Sequence, residues 1–204
     1  MAEEVVSMCS LASQICNQIA AVFSSSDALD AILTALADAA KNHRRIFVHG
    51  VGRELLMLKS LCMRLVHLGL SAHVVGDVTT PPIRPHDLLI ASAGPGSFST
   101  VDAICAVARA NSAIVLLVTA HPETPSCKNL ATHIAYLPAR TMADDHTSSS
   151  SSGEDELISK RELLPMGSLY EGAMFVLFEV VVYKLGDILG EAPAAITLRH
   201  TNLE

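Results

Sequence analysis

The chain contains no tryptophan, and phenylalanine and tyrosine bring the aromatic share to only 4% of its 204 residues. Its core must therefore be assembled from Ala, Val, Leu, Ile and Met, packed as small interlocking units. Charge is also scarce: Asp, Glu, Lys and Arg make up 17% of the residues, whereas 50% are hydrophobic. That balance is the opposite of a disordered chain and suits one domain of ordinary size with a substantial core. Basic residues number 14 against 21 acids, a net charge of −7. The dense cationic footprint of a nucleic-acid-binding domain is missing.

Long apolar runs are missing too. A membrane span needs roughly 18 consecutive apolar residues, and the richest stretch, residues 172–185, is broken by Glu179 and Lys184. It reads as a buried helix, and no membrane partner is expected. The opening Met1-Ala2-Glu3-Glu4 places acids where a signal or transit peptide carries basic residues, so a cytoplasmic location is expected. The five cysteines (Cys9, Cys16, Cys62, Cys105, Cys127) are odd in number and form no C-x-x-C pair. Reduced, mostly buried thiols are the expectation. The nine histidines show no H-x-x-x-H spacing, so no metal site is expected.

What is present is a change of rhythm along the chain. Val5, Met8, Leu11, Ala12, Ile15, Ile19 and Val22 recur at helical spacing across residues 4–23. Ser26 or Asp27 can cap a second helix carrying Leu29, Ile32, Leu33 and Leu36. Five short apolar runs follow, at residues 46–50, 72–76, 87–92, 113–119 and 133–137, alternating with helices or short connections. They are continuous rather than alternating, as in parallel strands covered on both faces. The pattern predicts a doubly wound α/β sheet, whose ligands bind beyond the carboxyl ends of its strands. Residues 140–162, with Asp144-Asp145 and the serine run 148–152, predict a flexible acidic loop. It is either a tolerated insertion or a phosphorylated segment. A long helix from Gly167 to about Leu189 returns to the sheet.

Three segments carry candidate chemistry. Gly50-Val51-Gly52-Arg53 follows the first strand; its glycines let a ligand approach the backbone, and the next helix offers free N–H groups. A plain tight turn is the other reading, and Leu55 replaces the third glycine of a dinucleotide fingerprint. Ser92, Gly94, Gly96, Ser97, Ser99 and Thr100 follow the third strand and can cradle a phosphate with amides and hydroxyls, or form a Ser-capped helix after a glycine turn. Thr119 ends the fourth strand as a further hydroxyl. Glu171 falls in the first turn of the long helix, where the dipole alone favours a carboxylate.

From residue 43 to 204 the chain resembles a sugar isomerase (SIS) domain, most closely of the 6-phospho-3-hexuloisomerase type. The resemblance is carried by Ile46-Phe47-Val48-His49-Gly50-Val51-Gly52-Arg53, Met63-Arg64-Leu65-Val66-His67-Leu68-Gly69 and Val74-Val75-Gly76-Asp77. Pro165-Met166-Gly167-Ser168-Leu169-Tyr170-Glu171 and the terminal Arg199-His200-Thr201-Asn202-Leu203-Glu204 complete it. It implies a three-layer α/β/α domain with a five-stranded flavodoxin-like parallel sheet, preceded over residues 1–42 by helices that pack on the domain or on an oligomer interface. It also implies a homotetramer or homodimer that binds a phosphorylated sugar without metal or organic cofactor. Glu171 would be the acid/base residue, and His200 would serve the active site of a neighbouring subunit. The implied reaction moves a carbonyl between adjacent carbons through a cis-enediol.

Three positions depart from the pattern. Glu54 stands where the family places a small hydroxyl residue, and would repel a phosphate dianion unless Arg53 or a rotamer change intervenes. Pro95 removes a hydroxyl and an amide donor, and Ser97 a carboxylate; Ser97, Ser99 and Thr100 are the replacement hydroxyls. These departures leave a second reading, a non-catalytic or regulatory SIS module that binds a sugar phosphate without turning it over.

Overall fold

The computed structural model describes residues 7–144 and 163–203. The apolar runs form β1 (Ile46–His49), β2 (Ala72–Val74), β3 (Leu88–Ser92), β4 (Ile114–Thr119) and β5 (His133–Tyr136), each within two residues of its expected bounds. Every pairing is parallel, in the order β2-β1-β3-β4-β5, with Val48 level with Val74 and Ile90, and Ile90 level with Leu116.

Both faces are buried, which is why the strands are apolar throughout. Ile46, Val48, Leu88, Ile90, Leu116 and Val118 join the core beneath α2 (Ala28–Lys41), α3 (Gly52–His67) and α6 (Ser168–Leu189). Phe47, Leu89, Ala91, Val115 and Leu117 face α4 (Ser99–Ala110) and α5 (Pro125–Leu130). α1 (Met8–Val22) lies outside the first layer, on α6, where Ile19 crosses Gly172 so closely that a Cβ there would sit 2.9 Å from its Cδ1. The connection β1–α3–β2 covers one face and β3–α4–β4 the other. The strand order therefore reverses between β1 and β3, and the crevice for a ligand opens at the carboxyl edge there.

At the opposite edge Asp87 fastens β1 to β3. Its carboxylate accepts from the Arg45 backbone N–H at 3.1 Å, the Arg84 N–H at 2.8 Å and the Arg45 guanidinium at 2.7 Å. Glu179, inside the apolar α6, has its partner in Arg64 at 3.5 Å.

Several expectations are resolved or corrected. Asp27 occupies the cap position of α2 without a capping bond; instead it accepts from the Tyr136 N–H at 3.1 Å. Ser26 Oγ accepts from the Ala28 N–H at 3.2 Å and donates to the Tyr136 carbonyl at 2.8 Å, tying the start of α2 to the end of β5. Beyond the long helix expected to about Leu189 the chain forms a further element, α7 (Pro193–Leu198), opened by a proline whose fixed φ suits a first turn. Cys9 and Cys16 are exposed, because α1 presents only one stripe to α6; Cys62, Cys105 and Cys127 are buried, and all five are unpaired thiols. The loop expected at residues 140–162 lies, from residue 145 on, outside the described residues. No single helix among the described residues is long and apolar enough to cross a membrane.

Candidate functional site

Three connections at the carboxyl edge converge around the β1/β3 switch point. The turn after β3 is fixed from below. Thr119 Oγ1 donates to the Gly94 carbonyl at 3.3 Å, and Thr124 Oγ1 donates to that of Gly96 at 3.0 Å. Gly96 has φ 93°, and a Cβ there would lie 2.5 Å from Thr124 Cγ2. Only glycine fits that turn. Above it the hydroxyl-bearing Ser97, Ser99 and Thr100 lie at or near the surface. The first-turn amides of α4 lack intrahelical partners and carry the positive end of the helix dipole. Amides and hydroxyls are thus gathered where a phosphate would rest.

Glu54 does not face that position. Its side chain turns inward beneath the turn, where it is 6% exposed. It accepts from the Ser92 hydroxyl at 2.5 Å and from the Gly94 N–H at 3.1 and 3.2 Å. Tyr170 Oη lies 3.2 Å from Ser92 Oγ and closes the cluster. Burial pushes the Glu54 carboxyl up to about 7, against the hydrogen bonds from Ser92 and Gly94, which favour its charge. The rotamer change that would spare a phosphate from Glu54 is the conformation present. The cost is that the Gly94 N–H is taken by the carboxyl.

Across the crevice, α6 begins at Gly167, φ 79°, where a Cβ would approach Glu171 Oε1 to 3.3 Å. The missing side chain leaves room for the Glu171 carboxyl. Arg53, in the first turn of α3, bridges the two helices: it donates to Ser168 Oγ at 2.9 Å and to the Met166 carbonyl, and places Nη2 2.9 Å from Glu171 Oε2. Burial raises the Glu171 carboxyl above its ordinary value and Arg53 opposes the rise. A carboxyl that is mostly covered, beside a cation that stays half exposed, can take a proton from carbon while the guanidinium steadies a neighbouring oxyanion.

The structure brings Arg53, Glu171, Gly52, Gly94, Gly96, Ser97, Ser99 and Thr100 to one edge. Gly50 sits behind them, buried, with α3 so close that a Cβ would meet Leu58 Cδ1 at 3.1 Å. Ser92 and Thr119, expected as ligand hydroxyls, are fully buried and committed to Glu54 and to the Gly94 carbonyl. They support the turn from beneath instead of touching what rests on it. His200 is not near Glu171 in the same chain. It lies beyond α7, its ring 5.2 Å from that of His67 at the far end of α3. Arg53 and His67 lie 14 residues apart on α3, so about 21 Å of helix separates the His200 end from Arg53.

Residues outside the expected set also join the site. His121 follows β4, its Cβ 3.1 Å from where a Gly96 Cβ would be, with Asp144 at 3.4 Å and Glu123 at 3.6 Å from its ring nitrogens. Thr141 holds the Asp144 carboxylate through its N–H at 2.7 Å and hydroxyl at 2.9 Å. The sequence signals His121 only by its place just past a strand end, and Tyr170 only as part of the Pro165–Glu171 segment, since its role depends on Ser92 and Glu54. A groove of about 780 Å³ opens between α2 and the starts of β3, β4 and β5. Its charged groups are partly spent on the fold, Asp38 on Arg44 at 2.6 Å and Asp27 on β5, so the carboxyl edge, where Arg53 meets Glu171, is the better candidate. Among the described residues no group of three or more His, Cys, Asp or Glu is placed to hold a metal ion.

No family model matches the chain. It is 32% identical to the 3-hexulose-6-phosphate isomerase of Bacillus subtilis across 83% of this chain and 85% of that one. Its identity to the 3-hexulose-6-phosphate isomerase of Mycobacterium gastri is 36%, across 78% and 74% respectively. Among solved structures it is similar to a Methanococcus jannaschii protein inferred to be a 3-hexulose-6-phosphate isomerase, with a TM-score of 0.73, 24% identity and 95% and 98% of the two chains covered. A putative sugar-phosphate isomerase of Listeria monocytogenes gives a TM-score of 0.69 at 15% identity, with 98% and 99% covered. These structural likenesses speak for the fold; the sequence identities, above 30% over most of both chains, carry the family. The chain belongs to the SIS family of phosphosugar isomerases, in the branch of the 3-hexulose-6-phosphate isomerases.

Proposed function

We propose that the protein is a phosphosugar isomerase interconverting 3-hexulose 6-phosphate and fructose 6-phosphate, acting as a homo-oligomer in the cytoplasm. The observation that carries this reading is the Arg53–Glu171 contact at 2.9 Å on the ligand edge of the sheet. The phosphate rests on the hydroxyls and amides of residues 97–100, and the carbonyl end of the sugar reaches Glu171. Glu171 removes the proton from C2, and the electron pair forms the C2=C3 double bond of a cis-enediolate. The C3 carbonyl oxygen becomes the oxyanion that Arg53 steadies. Return of the proton from Glu171 to C3, with the O2 proton passed to the O3 oxyanion, leaves the carbonyl at C2 and a hydroxyl at C3. No oxidant or reductant is needed.

His200 carries the oxygen-bound proton in this scheme, and with about 21 Å of α3 between its end of the helix and Arg53 it must come from a second copy. Exposed apolar side chains on α3 (Leu56, Met63, Val66) and α6 (Phe175, Tyr183, Ile188) support such an assembly, since a monomer rarely leaves a patch of that kind bare. The inward turn of Glu54 weakens the reading as a binding module without turnover, because the charge objection to a bound phosphate lapses.

The test is an isomerisation assay on 3-hexulose 6-phosphate with Glu171→Gln, His200→Asn and their mixture. Each variant alone should lose about 10²- to 10⁴-fold in kcat, the usual worth of a positioned acid/base. Mixed oligomers pair an intact Glu171 from one copy with an intact His200 from another, and activity returns. Full turnover by Glu171→Gln sinks the acid/base role; a mixture as dead as its parts sinks the shared site.

A further inference from the structure

Buried polar atoms without a hydrogen bond mark one region of the molecule. Among the described residues they are Nδ1 and Nε2 of His49, Nε2 of His121 and Oε2 of Glu171. His49 closes β1, His121 follows β4 and Glu171 opens α6, so all three stand at the carboxyl edge. Two of them have a charged neighbour, Arg53 beside Glu171 and Asp144 beside His121. Neither ring nitrogen of His49 has any hydrogen-bond partner, although the ring is at the end of a central strand flanking the switch point.

A buried donor or acceptor with no partner forfeits its hydration for nothing, and in a folded protein it calls for an explanation. Strand alternation puts His49 on the face of Phe47, which is the face of α4. The residue level with it on β3 is Ala91, whose methyl leaves space beside the ring. Desolvation lowers its basicity, so the imidazole is neutral, with one N–H donor and one bare nitrogen acceptor. That pair suits a hydroxyl group, which both donates and accepts; an anion would use only half of it. The side chain as a whole stays partly accessible, and χ2 of histidine is a soft torsion.

We propose that His49 is a substrate-contacting residue, its ring hydrogen-bonding a hydroxyl of the sugar chain that runs from the α4 N-terminus to Glu171. The assignment rests on the phosphosugar reading above and names a contact that reading does not use. It gives the departure from an apolar strand end a purpose: free energy withheld in the empty site is recovered when the hydroxyl arrives.

The test is His49→Leu, of similar reach and without polar atoms, with His49→Asn as the polar control. Melting is followed without ligand, with inorganic phosphate and with fructose 6-phosphate, beside steady-state kinetics. His49→Leu should melt at or above wild type when empty, because it removes unpaired groups. Its stabilisation by inorganic phosphate should be unchanged, its stabilisation by fructose 6-phosphate smaller, and its KM raised about tenfold, as for one lost hydrogen bond. His49→Asn should recover part of that KM. An unchanged KM and an unchanged fructose 6-phosphate shift overturn the proposal, as does a lowered melting temperature in both variants with normal KM, which marks a structural ring. Should wild type itself respond to no phosphosugar, the phosphosugar reading falls and the His49 contact falls with it; a wild-type response that His49→Leu retains in full removes the His49 contact alone.

Discussion

Glu54→Gln isolates the electrostatic cost of burying one carboxyl beneath the ligand-edge turn. In the unfolded chain the carboxyl titrates at its ordinary 4.5, and in the folded protein at about 7. Between those values the native state holds a proton that the unfolded state has lost. With more protons bound to the native state, stability must fall as pH rises. The contribution is intact below 4.5 and lost as pH passes through 7. For a shift of this size the linkage relation gives a loss of about 2 to 3 kcal/mol between pH 5 and pH 8. The carboxamide of the variant keeps an acceptor for the Gly94 N–H and gains an NH₂ for Ser92 Oγ, whose own hydroxyl then turns to Tyr170 or Met174 Sδ. It carries no charge to desolvate.

The measurement is urea unfolding of both proteins at pH 5, 6, 7 and 8, at one protein concentration so that any association is held constant. The quantity read is the variant-minus-wild-type difference, which cancels His49, His73 and every other group that titrates alike in both. The difference should be small at pH 5 and grow to about 2 to 3 kcal/mol in favour of the variant at pH 8, or about 5–10 °C in melting temperature for a domain of this size. Repeating the pair in a Glu171→Gln background removes the repulsion between the two carboxyls. A flat difference, or one that favours wild type at pH 8, refutes the reasoning: it would mean that Ser92 and Gly94 stabilise a carboxylate more than burial penalises it.

Two further substitutions test how the edges of the sheet are held. Asp87→Ala strips three hydrogen bonds from the β1–β3 clamp and leaves Arg45, 18% exposed, without its partner; about 3 kcal/mol should be lost, some 6–12 °C in melting temperature, with KM unaltered because the clamp lies at the opposite edge from the site. Gly96→Ala forces a methyl 2.5 Å from Thr124 Cγ2 at φ 93°. It should cost about 2 kcal/mol, some 4–8 °C, and reduce stabilisation by inorganic phosphate. Unchanged melting and phosphate response would show that the turn accommodates a Cβ.

The architecture was legible in the sequence because each of its determinants is local. Leu88, Leu89 and Ile90 are consecutive and all buried, which requires cover on both faces and therefore a parallel, doubly wound sheet. Gly167, needed at positive φ, and Ser168 mark the start of α6 within the chain itself. Cap assignment was less legible. Ser26 and Asp27 are both good caps by type, and which one bonds the helix depends on where Tyr136 lies, 109 residues away. α7, six residues long, is too short to display a period in the sequence.

The site divides along the same line. Arg53 and Glu171 were identifiable from their positions after a strand and at a helix start, and their contact follows from the packing of α3 on α6. Hydroxyl type alone misled at Ser92 and Thr119. At a strand end a side chain points to one face or the other, and both of these point beneath the turn, where they bond Glu54 and Gly94. Glu54 shows the converse. As a residue type beside a phosphate loop it is an obstacle; as a buried carboxyl tied to Ser92 and the Gly94 N–H it is part of what shapes that loop. The sign of its effect was decided by a side-chain direction that no spacing encodes. His49 stands one step further from the sequence, because what singles it out is a pair of hydrogen bonds that are not made. An unmade bond leaves no mark on residue order and becomes visible only when every neighbour has been placed.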